Sequence, residues 1–337
     1  MAGKIITIPE LKKQIKANDI KQVYIFFGAE RYLAELYLEK LSELIPDGGL
    51  PEFNRLVIED AKTPPGDILD YIETYPMMSD QKLLIMRDTG VFKSASEEMK
   101  KLWSELFSNL PDYAHIIFIE SEIDKRSALY KAACNIGYVV EFAPLSAVDA
   151  VTWVERRFLK AKKKIKKENA AYLVDICGED LFNLKNEADK LIDFCSEEIT
   201  RSDIDRVVSK TLNVRVFEMT DAVMNHDADT ALGILSDMKT VKESAFKILY
   251  ILFGAFDKML HAQLMLKDGE TSDAIAKKLK IPPFIARKYM KKSFGEKFLA
   301  ESVMKIAETD LAIKEGQCDE WTALESFVAG LFTSKNI

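Results

Sequence analysis

Five short apolar runs alternate with helix-period segments over roughly the first 145 residues. In the segment after the first run, Leu36 and Tyr37 follow Leu33 at three and four positions, which is typical of one buried helix face. Strands that alternate with helices build a mainly parallel sheet covered on both faces. The pattern predicts a doubly wound α/β domain over residues 1–145, with strands at 22–27, 53–58, 82–87, 115–120 and 138–142.

The strand signals stop after "EFAPLS" at 141–146, and the remaining pattern is helical. A weak break at 209–219 separates two helical blocks. The second block contains a long 3.6-residue repeat that begins at Ala245 and ends at Leu260. We therefore expect a small helical domain at 146–211 and a larger one at 212–337.

Composition excludes several classes of protein. With 337 residues, 48% of them apolar, the chain has enough apolar side chains for two or three cores. The four cysteines include no C-x-x-C pair, so neither a zinc ribbon nor another metal site is predicted. The sequence has no apolar run of about 20 residues and its start lacks a signal-peptide pattern, so we expect a cytoplasmic protein without membrane contact.

The junction after the first strand stands where nucleotide-binding proteins carry a phosphate loop. That loop needs G-x-x-x-x-G-K-[ST], because its lysine reaches phosphate and its hydroxyl ligates magnesium. Here Gly28 is followed at the last three places by Leu33, Ala34 and Glu35. This degenerate phosphate loop is not expected to bind ATP. No catalytic residue is predicted, since the three histidines belong to no G-x-S-x-G or H-E-x-x-H pattern.

Two basic segments are candidates for contact with nucleic acid. The run "KAKKKIKK" at 160–167 is either a solvated helix face or a phosphate contact, and Lys162, Lys163 and Lys164 are its candidate DNA ligands. Residues 271–292 resemble a helix-turn-helix, although two prolines fill the turn. A net charge of −7 argues that any DNA contact is local.

Pro76, Met77 and Met78 lie between a predicted helix and a predicted strand, where loops normally carry polar residues. The methionines either tuck into the sheet or form an exposed apolar pair. Exposed, the pair would suit a hydrophobic pocket on another protein.

Six segments together resemble the delta subunit of the bacterial DNA polymerase III clamp loader, in the order and spacing of that family. They are "VYIFFGAERYLAELYLEKL" at 23–41, "YPMMSDQKLLIMRD" at 75–88, "IDKRSALYKA" at 123–132, "GEDLFNLKNEADKL" at 178–191, "PPFIARKYM" at 282–290 and "DLAIKEG" at 310–316. The resemblance implies an AAA+-like α/β module, a helical lid and a C-terminal helical collar.

The function that the resemblance implies is mechanical. Delta binds the ring-shaped sliding clamp (beta) and helps to hold one ring interface open for primer-template DNA, beside the tau/gamma and delta-prime subunits. Within this nucleotidyltransferase assembly, ATP hydrolysis belongs to tau/gamma, so the chain itself is expected to lack catalytic activity and to need no cofactor. The family's clamp-binding element maps onto Pro76, Met77 and Met78, with methionines where aromatic residues are frequent.

The nucleotide machinery of active AAA+ relatives is missing from this sequence. Such proteins end a strand in an acid pair, whereas Arg87, Asp88 and Thr89 stand here. Three classes stay open: a non-catalytic assembly subunit, a nucleotide-dependent enzyme with a divergent loop, and a helix-turn-helix DNA-binding protein.

Overall fold

The computed structural model describes residues 4–59, 62–281, 283–290 and 294–333. The chain divides into two compact units, Met1–Val208 and Ser209–Ile337. The first unit contains a six-stranded sheet and a small two-stranded sheet, and the second unit is helical in its described part.

The strands are β1 (Lys4–Ile6), β2 (Val23–Phe27), β3 (Arg55–Ile58), β4 (Lys82–Arg87), β5 (Ala114–Glu120), β6 (Gly137–Glu141), β7 (Lys164–Ile165) and β8 (Glu198–Ile199). The strands of the large sheet lie in the order β1-β6-β2-β5-β4-β3, and each of its pairs is parallel. The small sheet pairs β7 with β8, also in parallel.

Helices cover both faces of the large sheet, and further helices follow its last strand in the chain. Those of the first unit are α1 (Ile8–Ala17), α2 (Arg31–Ser42), α3 (Pro51–Asn54), α4 (Pro65–Glu73), α5 (Val91–Ser94), α6 (Glu97–Ser108), α7 (Ala128–Ile136), α8 (Ala147–Lys160), α9 (Lys167–Cys177), α10 (Leu181–Phe194) and α11 (Arg201–Val207). Those of the second unit are α12 (Leu212–Met224), α13 (Ala228–Thr240), α14 (Ala245–Lys267), α15 (Ser272–Leu279), α16 (Pro283–Tyr289), α17 (Glu296–Lys314) and α18 (Glu320–Thr333).

The parallel α/β sheet followed by helical segments confirms the predicted fold class. The five predicted strands correspond to β2–β6, but Phe53 and Asn54 belong to α3 and not to a strand. The prediction missed β1, which has three residues, and the expectation that strand signals end after residue 146 was wrong because β7 and β8 follow. Two or three residues are too few to show an apolar period.

The central strand β2 contributes to two separate cores, since successive side chains point to opposite faces of a sheet. Tyr24 and Phe26 join the cluster that includes the buried residues of α2, whereas Val23, Ile25 and Phe27 join the cluster under α6 and α7. The α2 cluster also contains buried residues of α8–α11. A continuous core thus joins the sheet to these four helices, and the division at residue 145 into two domains stays a prediction.

The second unit has its own core, built around the 23-residue helix α14. The predicted repeat on this helix is confirmed, since Ala245, Ile248, Leu249, Leu252, Phe256 and Met259 are buried and Leu260 is half-buried. None of the helices in the described part of the chain combines the length and the apolar character that a membrane span needs.

Candidate functional site: an apolar loop beside the parallel sheet

The β2–α2 junction keeps a tight turn at Gly28, where the φ angle is +123°. A Cβ atom on Gly28 would lie 2.4 Å from the carbonyl oxygen of Phe142, closer than side-chain atoms approach a backbone oxygen. The amide of Gly28 also donates to the carbonyl of Glu120 at 3.2 Å. Glycine is therefore required here by the packing of neighbouring backbones.

The positions that carry lysine and hydroxyl groups in an active phosphate loop are used for packing in this chain. Leu33 and Ala34 are buried in the core of the first unit. Glu35 accepts two hydrogen bonds from the guanidinium of Arg87, at 3.1 and 3.0 Å. None of these three positions carries the lysine or hydroxyl group that holds phosphate and magnesium in an active loop, and the expected loss of ATP binding stays a prediction.

Polar groups at the carboxyl ends of β4 and β5 bond to one another. Asp88 accepts hydrogen bonds from the amide and hydroxyl of Ser121, at 3.1 and 2.8 Å, and pairs with Arg31. Glu120 accepts from the Thr89 hydroxyl at 2.9 Å, and burial raises the pKa of Glu120 above its ordinary value. This edge of the sheet is held together by side-chain contacts within the chain.

The α4–β4 loop, residues 74–81, presents an exposed apolar surface. The residues Met77, Met78 and Tyr75 are 49%, 82% and 79% exposed, and Pro76 is half-buried. The Tyr75 ring packs against the Tyr113 ring with centroids 5.1 Å apart. Of the two alternatives for the methionines, the structure therefore has the exposed pair, with Tyr75 beside it.

The backbone of Met77 is held by the buried side chain of Asn54. The Asn54 amide nitrogen donates to the Met77 carbonyl at 2.7 Å, and the Met77 amide donates to the Asn54 oxygen at 2.8 Å. Asn54 also donates to the carbonyl of Asp47 at 2.9 Å. Because both polar groups of Met77 have a partner, its side chain is presented from a fixed backbone.

The turn at residues 46–49 supports the loop from the other side. A Cβ atom on Gly48 would lie 2.2 Å from the carbonyl oxygen of Met78, so only glycine permits this approach. The Ser79 hydroxyl donates to the carbonyl of Pro46 at 2.7 Å. Met78 itself has a φ angle of +52°, which is uncommon for a residue other than glycine and is found at functional loops.

Lys82 fixes the helix that leads into the loop. Its ammonium group donates to the carbonyls of Tyr71 and Thr74, at 2.7 and 2.9 Å, although the residue is only 3% exposed. It also lies 4.1 Å from the centroid of the Tyr71 ring. A cation at the C-terminal end of a helix satisfies carbonyls that lack partners within the helix. Burial lowers the pKa of Lys82.

The lysine run extends from the last residue of α8 through β7 to the first residue of α9, so the alternative of a solvated helix face was wrong. Lys162 and Lys164 are exposed, and their contact with DNA stays a prediction. The ammonium group of Lys163 donates to the carbonyls of Cys195 and Ser196, the latter at 2.8 Å. Lys163 is therefore occupied in joining this turn to the turn before β8.

The segment considered as a helix-turn-helix forms α15 and α16, and its residues Pro282, Lys291 and Lys292 lie outside the described residues. Ile275, Ala286 and Tyr289 are buried in the core of the second unit. Lys278 pairs with Glu270, and Lys288 pairs with Asp221. These two basic side chains thus make contacts within their own unit.

Sequence reasoning located the methionine pair but missed the residues that hold it. Asn54 and Lys82 act through bonds to backbone atoms 23 and 11 residues away, and no local pattern predicts such bonds. The paired glycines at 48 and 49 were the one available signal, since they indicate a turn with positive φ angles.

Comparisons with known proteins extend over both units. A family model described as "DNA polymerase III, delta subunit" matches residues 24–143, and one described as "DNA polymerase III delta subunit, C-terminal domain" matches residues 213–331. The first match includes the degenerate phosphate loop and the α4–β4 loop.

Among similar curated proteins, DNA polymerase III subunit delta of Bacillus subtilis (strain 168) is 26% identical over 330 residues, 95% of each chain. The probable DNA polymerase III subunit delta of Aquifex aeolicus (strain VF5) is 25% identical over 271 residues, 74% of this chain and 73% of the relative. The solved structure of the Bacillus subtilis DNA clamp loader delta protein has the same fold, with a TM-score of 0.64, 23% identity and coverage of 96% of this chain and 99% of its own. This chain belongs to the DNA polymerase III delta-subunit family.

Proposed function

We propose that the chain is a clamp-loader subunit that binds the sliding clamp through Pro76, Met77 and Met78. By holding one interface of the ring open, it would let primer-template DNA enter during replication. Its neighbours in the assembly would be the tau/gamma and delta-prime subunits. Family membership supports the assignment to the loader, and the α4–β4 loop supports the place of clamp contact.

The observation that carries the proposal is the exposure of Met78 on a backbone held by its neighbours. Exposed apolar side chains are common singly, whereas contiguous apolar surface marks interaction sites, and here Tyr75, Met77 and Met78 are exposed on one loop. Full burial of one methionine stabilises a complex by roughly 1.5–3 kcal/mol. Because the loop is already ordered, little conformational entropy is lost when it binds.

The role proposed for this subunit is mechanical, with ATP hydrolysis left to tau/gamma. Phosphoryl transfer depends on lysine, magnesium and arginine placed around the phosphates. In this chain the corresponding positions carry the buried Leu33 and Ala34 and the Arg87-paired Glu35. These side chains support a subunit that does not hydrolyse ATP.

A binding experiment with the sliding clamp tests the site of contact. The double variant Met77→Asp/Met78→Asp is expected to lose clamp binding in a pull-down while it still assembles with tau/gamma and delta-prime. Two charges at the centre of an apolar contact would need to be desolvated. A double variant that retains full clamp binding would exclude this loop as the contact.

Ring opening requires a separate measurement. A donor and acceptor dye placed on either side of one clamp interface should lose energy transfer when the chain is added in excess. The double variant should leave the transfer unchanged. If the wild-type chain binds the clamp but the dyes stay close, the result would support clamp binding and contradict ring opening.

A further inference from the structure

The methionines of this chain differ widely in exposure. In the described part of the chain, Met78 is 82% exposed, Met304 is 63% exposed and Met77 is 49% exposed. The other described methionines are buried or half-buried: Met86, Met99, Met219, Met224, Met238, Met259, Met265 and Met290. A reagent that reacts with thioether sulfur in water therefore has its best access at Met78.

A peroxide is such a reagent. A lone pair of the thioether sulfur attacks one oxygen of hydrogen peroxide, so that an S–O bond forms as the O–O bond breaks. The departing hydroxide takes the proton from the new S–OH group and becomes water. Sulfur is thereby oxidised by two electrons to the sulfoxide. The sulfoxide is polar, and methionine sulfoxide reductases return it to the thioether.

Oxidation at Met78 leaves the contacts that order the α4–β4 loop in place. Asn54 bonds to both polar backbone groups of Met77, and the Ser79 hydroxyl donates to a backbone carbonyl at 2.7 Å. These contacts join backbone atoms and polar side chains, so they do not depend on the Met78 sulfur. Met86 of β4 is the opposite case, because it is 1% exposed and a sulfoxide there would disrupt the core. At Met78 the polarity of the surface changes while the fold is kept.

The sulfoxide opposes the burial that clamp contact requires, a step that rests on the proposed function. The thioether is apolar and gains free energy when it is removed from water. The sulfoxide oxygen instead accepts hydrogen bonds from water, and burial without a donor costs free energy. The sulfoxide therefore weakens the complex, and the complex in turn shields the sulfur from peroxide.

We propose that Met78 is a site of reversible oxidation, and that its sulfoxide releases the chain from the sliding clamp. The oxidant is a peroxide, which is reduced to water. In the reverse reaction a dithiol supplies two electrons and two protons through the reductases. The dithiol becomes a disulfide, and the sulfoxide oxygen leaves as water.

Partial oxidation of the full chain, followed by capture on immobilised clamp, tests this inference. A limiting amount of hydrogen peroxide is added to the chain and is removed with catalase before the clamp is added. Mass spectrometry of peptides then measures the sulfoxide at each methionine in the captured and the uncaptured chains. Met304 on α17 is the internal control, since it is exposed and belongs to the second unit. Circular dichroism verifies that the treated chain is folded.

With the clamp limiting, the Met78 sulfoxide should be at least about tenfold scarcer in the captured chains, as a loss of about 1.4 kcal/mol in binding predicts. The Met304 sulfoxide should divide equally between the two fractions. In a complex formed before treatment, Met78 should be protected from peroxide and Met304 should not.

Reductases for both sulfoxide epimers, with dithiothreitol, should restore capture of the oxidised chains. Dithiothreitol alone should not, because it reverses disulfide formation at the exposed Cys318 but does not reduce a sulfoxide. Recovery with dithiothreitol alone would overturn the proposal.

An equal share of Met78 sulfoxide in both fractions would also overturn it, as would less sulfoxide at Met78 than at the buried Met86. These results leave clamp binding by the untreated chain intact. An untreated chain that the clamp does not capture would instead contradict the proposed function, and the inference with it.

Discussion

Single residues outside the exposed apolar surface determine how that surface is presented, and Asn54 is the clearest case. Replacing it with alanine removes three hydrogen bonds to backbone groups of Met77 and Asp47. Buried groups left without partners cost about 1–3 kcal/mol. We expect Asn54→Ala to lower the free energy of unfolding by that amount in urea denaturation, and to weaken clamp binding although no exposed apolar atom is lost.

The exposed Asn109 at the end of α6 offers a matched control. Asn109→Ala should leave both stability and clamp affinity close to those of the wild-type chain. If folded Asn54→Ala binds the clamp with unchanged affinity, the fixed backbone of Met77 is not needed for recognition.

His115 makes stability depend on pH. The residue is 6% exposed, its Nδ1 atom lies 3.2 Å from the carbonyl of Lys21, and burial lowers its pKa below the ordinary 6.5. The unfolded chain therefore binds this proton more readily than the folded chain, so the free energy of unfolding falls as the pH drops below about 6.5. His115→Gln should flatten the decline measured by thermal unfolding between pH 7 and pH 5.

His226→Asn supplies the comparison for this pH series. His226 is exposed and has a positive φ angle, which asparagine tolerates. The thermal stability of His226→Asn should fall between pH 7 and pH 5 as steeply as that of the wild-type chain. If the stability of His115→Gln falls equally steeply, His115 does not cause the decline.

At the scale of elements, the β2–α2 junction is constrained by packing and not by phosphate. Gly28→Ala places a Cβ atom against the Phe142 carbonyl and requires alanine to adopt a φ angle of +123°. Strain of this kind costs about 1–3 kcal/mol, and displacement of the Phe142 backbone, directly after β6, adds to it. We expect a loss of roughly 3 kcal/mol in the free energy of unfolding, measured in urea.

Gly66 in α4 provides the opposite case, because a Cβ atom there meets nothing within 4 Å. Gly66→Ala should be neutral or stabilise the chain by up to about 1 kcal/mol, since alanine favours helix. Equal effects at Gly28 and Gly66 would contradict the packing explanation.

The elements also differ in how far the sequence could predict them. Strands β2–β6 could be predicted because each is a run of apolar residues between segments with a helical repeat. Phe53 precedes β3 in a similar apolar run, but Pro51 starts the short helix α3 there and Asn54 ends it. The small strands β7 and β8 depend on pairing between residues 34 positions apart, such as Lys164 and Glu198, which a local pattern does not reveal.

For the whole molecule, the sequence was informative about fold and family and less so about the site. Met77 and Met78 stood out as apolar residues in a loop, yet only the resemblance linked them to a clamp. Tyr75 escaped notice because an aromatic residue after a helix is equally typical of a core. Lys163, predicted as a DNA ligand, has its ammonium group bonded to Cys195 and Ser196, a contact that depends on tertiary structure.

The central claim is that the clamp is recognised by the exposed methionine side chain on the α4–β4 loop. The direct test is the dissociation constant of the full chain for the sliding clamp, measured for the wild type, Met78→Asp and Met304→Asp. Aspartate tolerates the φ angle of Met78, and Met304 is a 63%-exposed methionine on α17 that serves as the control.

Losing the burial of one methionine removes roughly 1.5–3 kcal/mol, and each 1.4 kcal/mol is a factor of about ten in affinity. The dissociation constant of Met78→Asp should therefore rise about tenfold or more, and that of Met304→Asp should stay within about twofold of the wild type. A folded Met78→Asp chain that binds the clamp as tightly as the wild type would contradict the account.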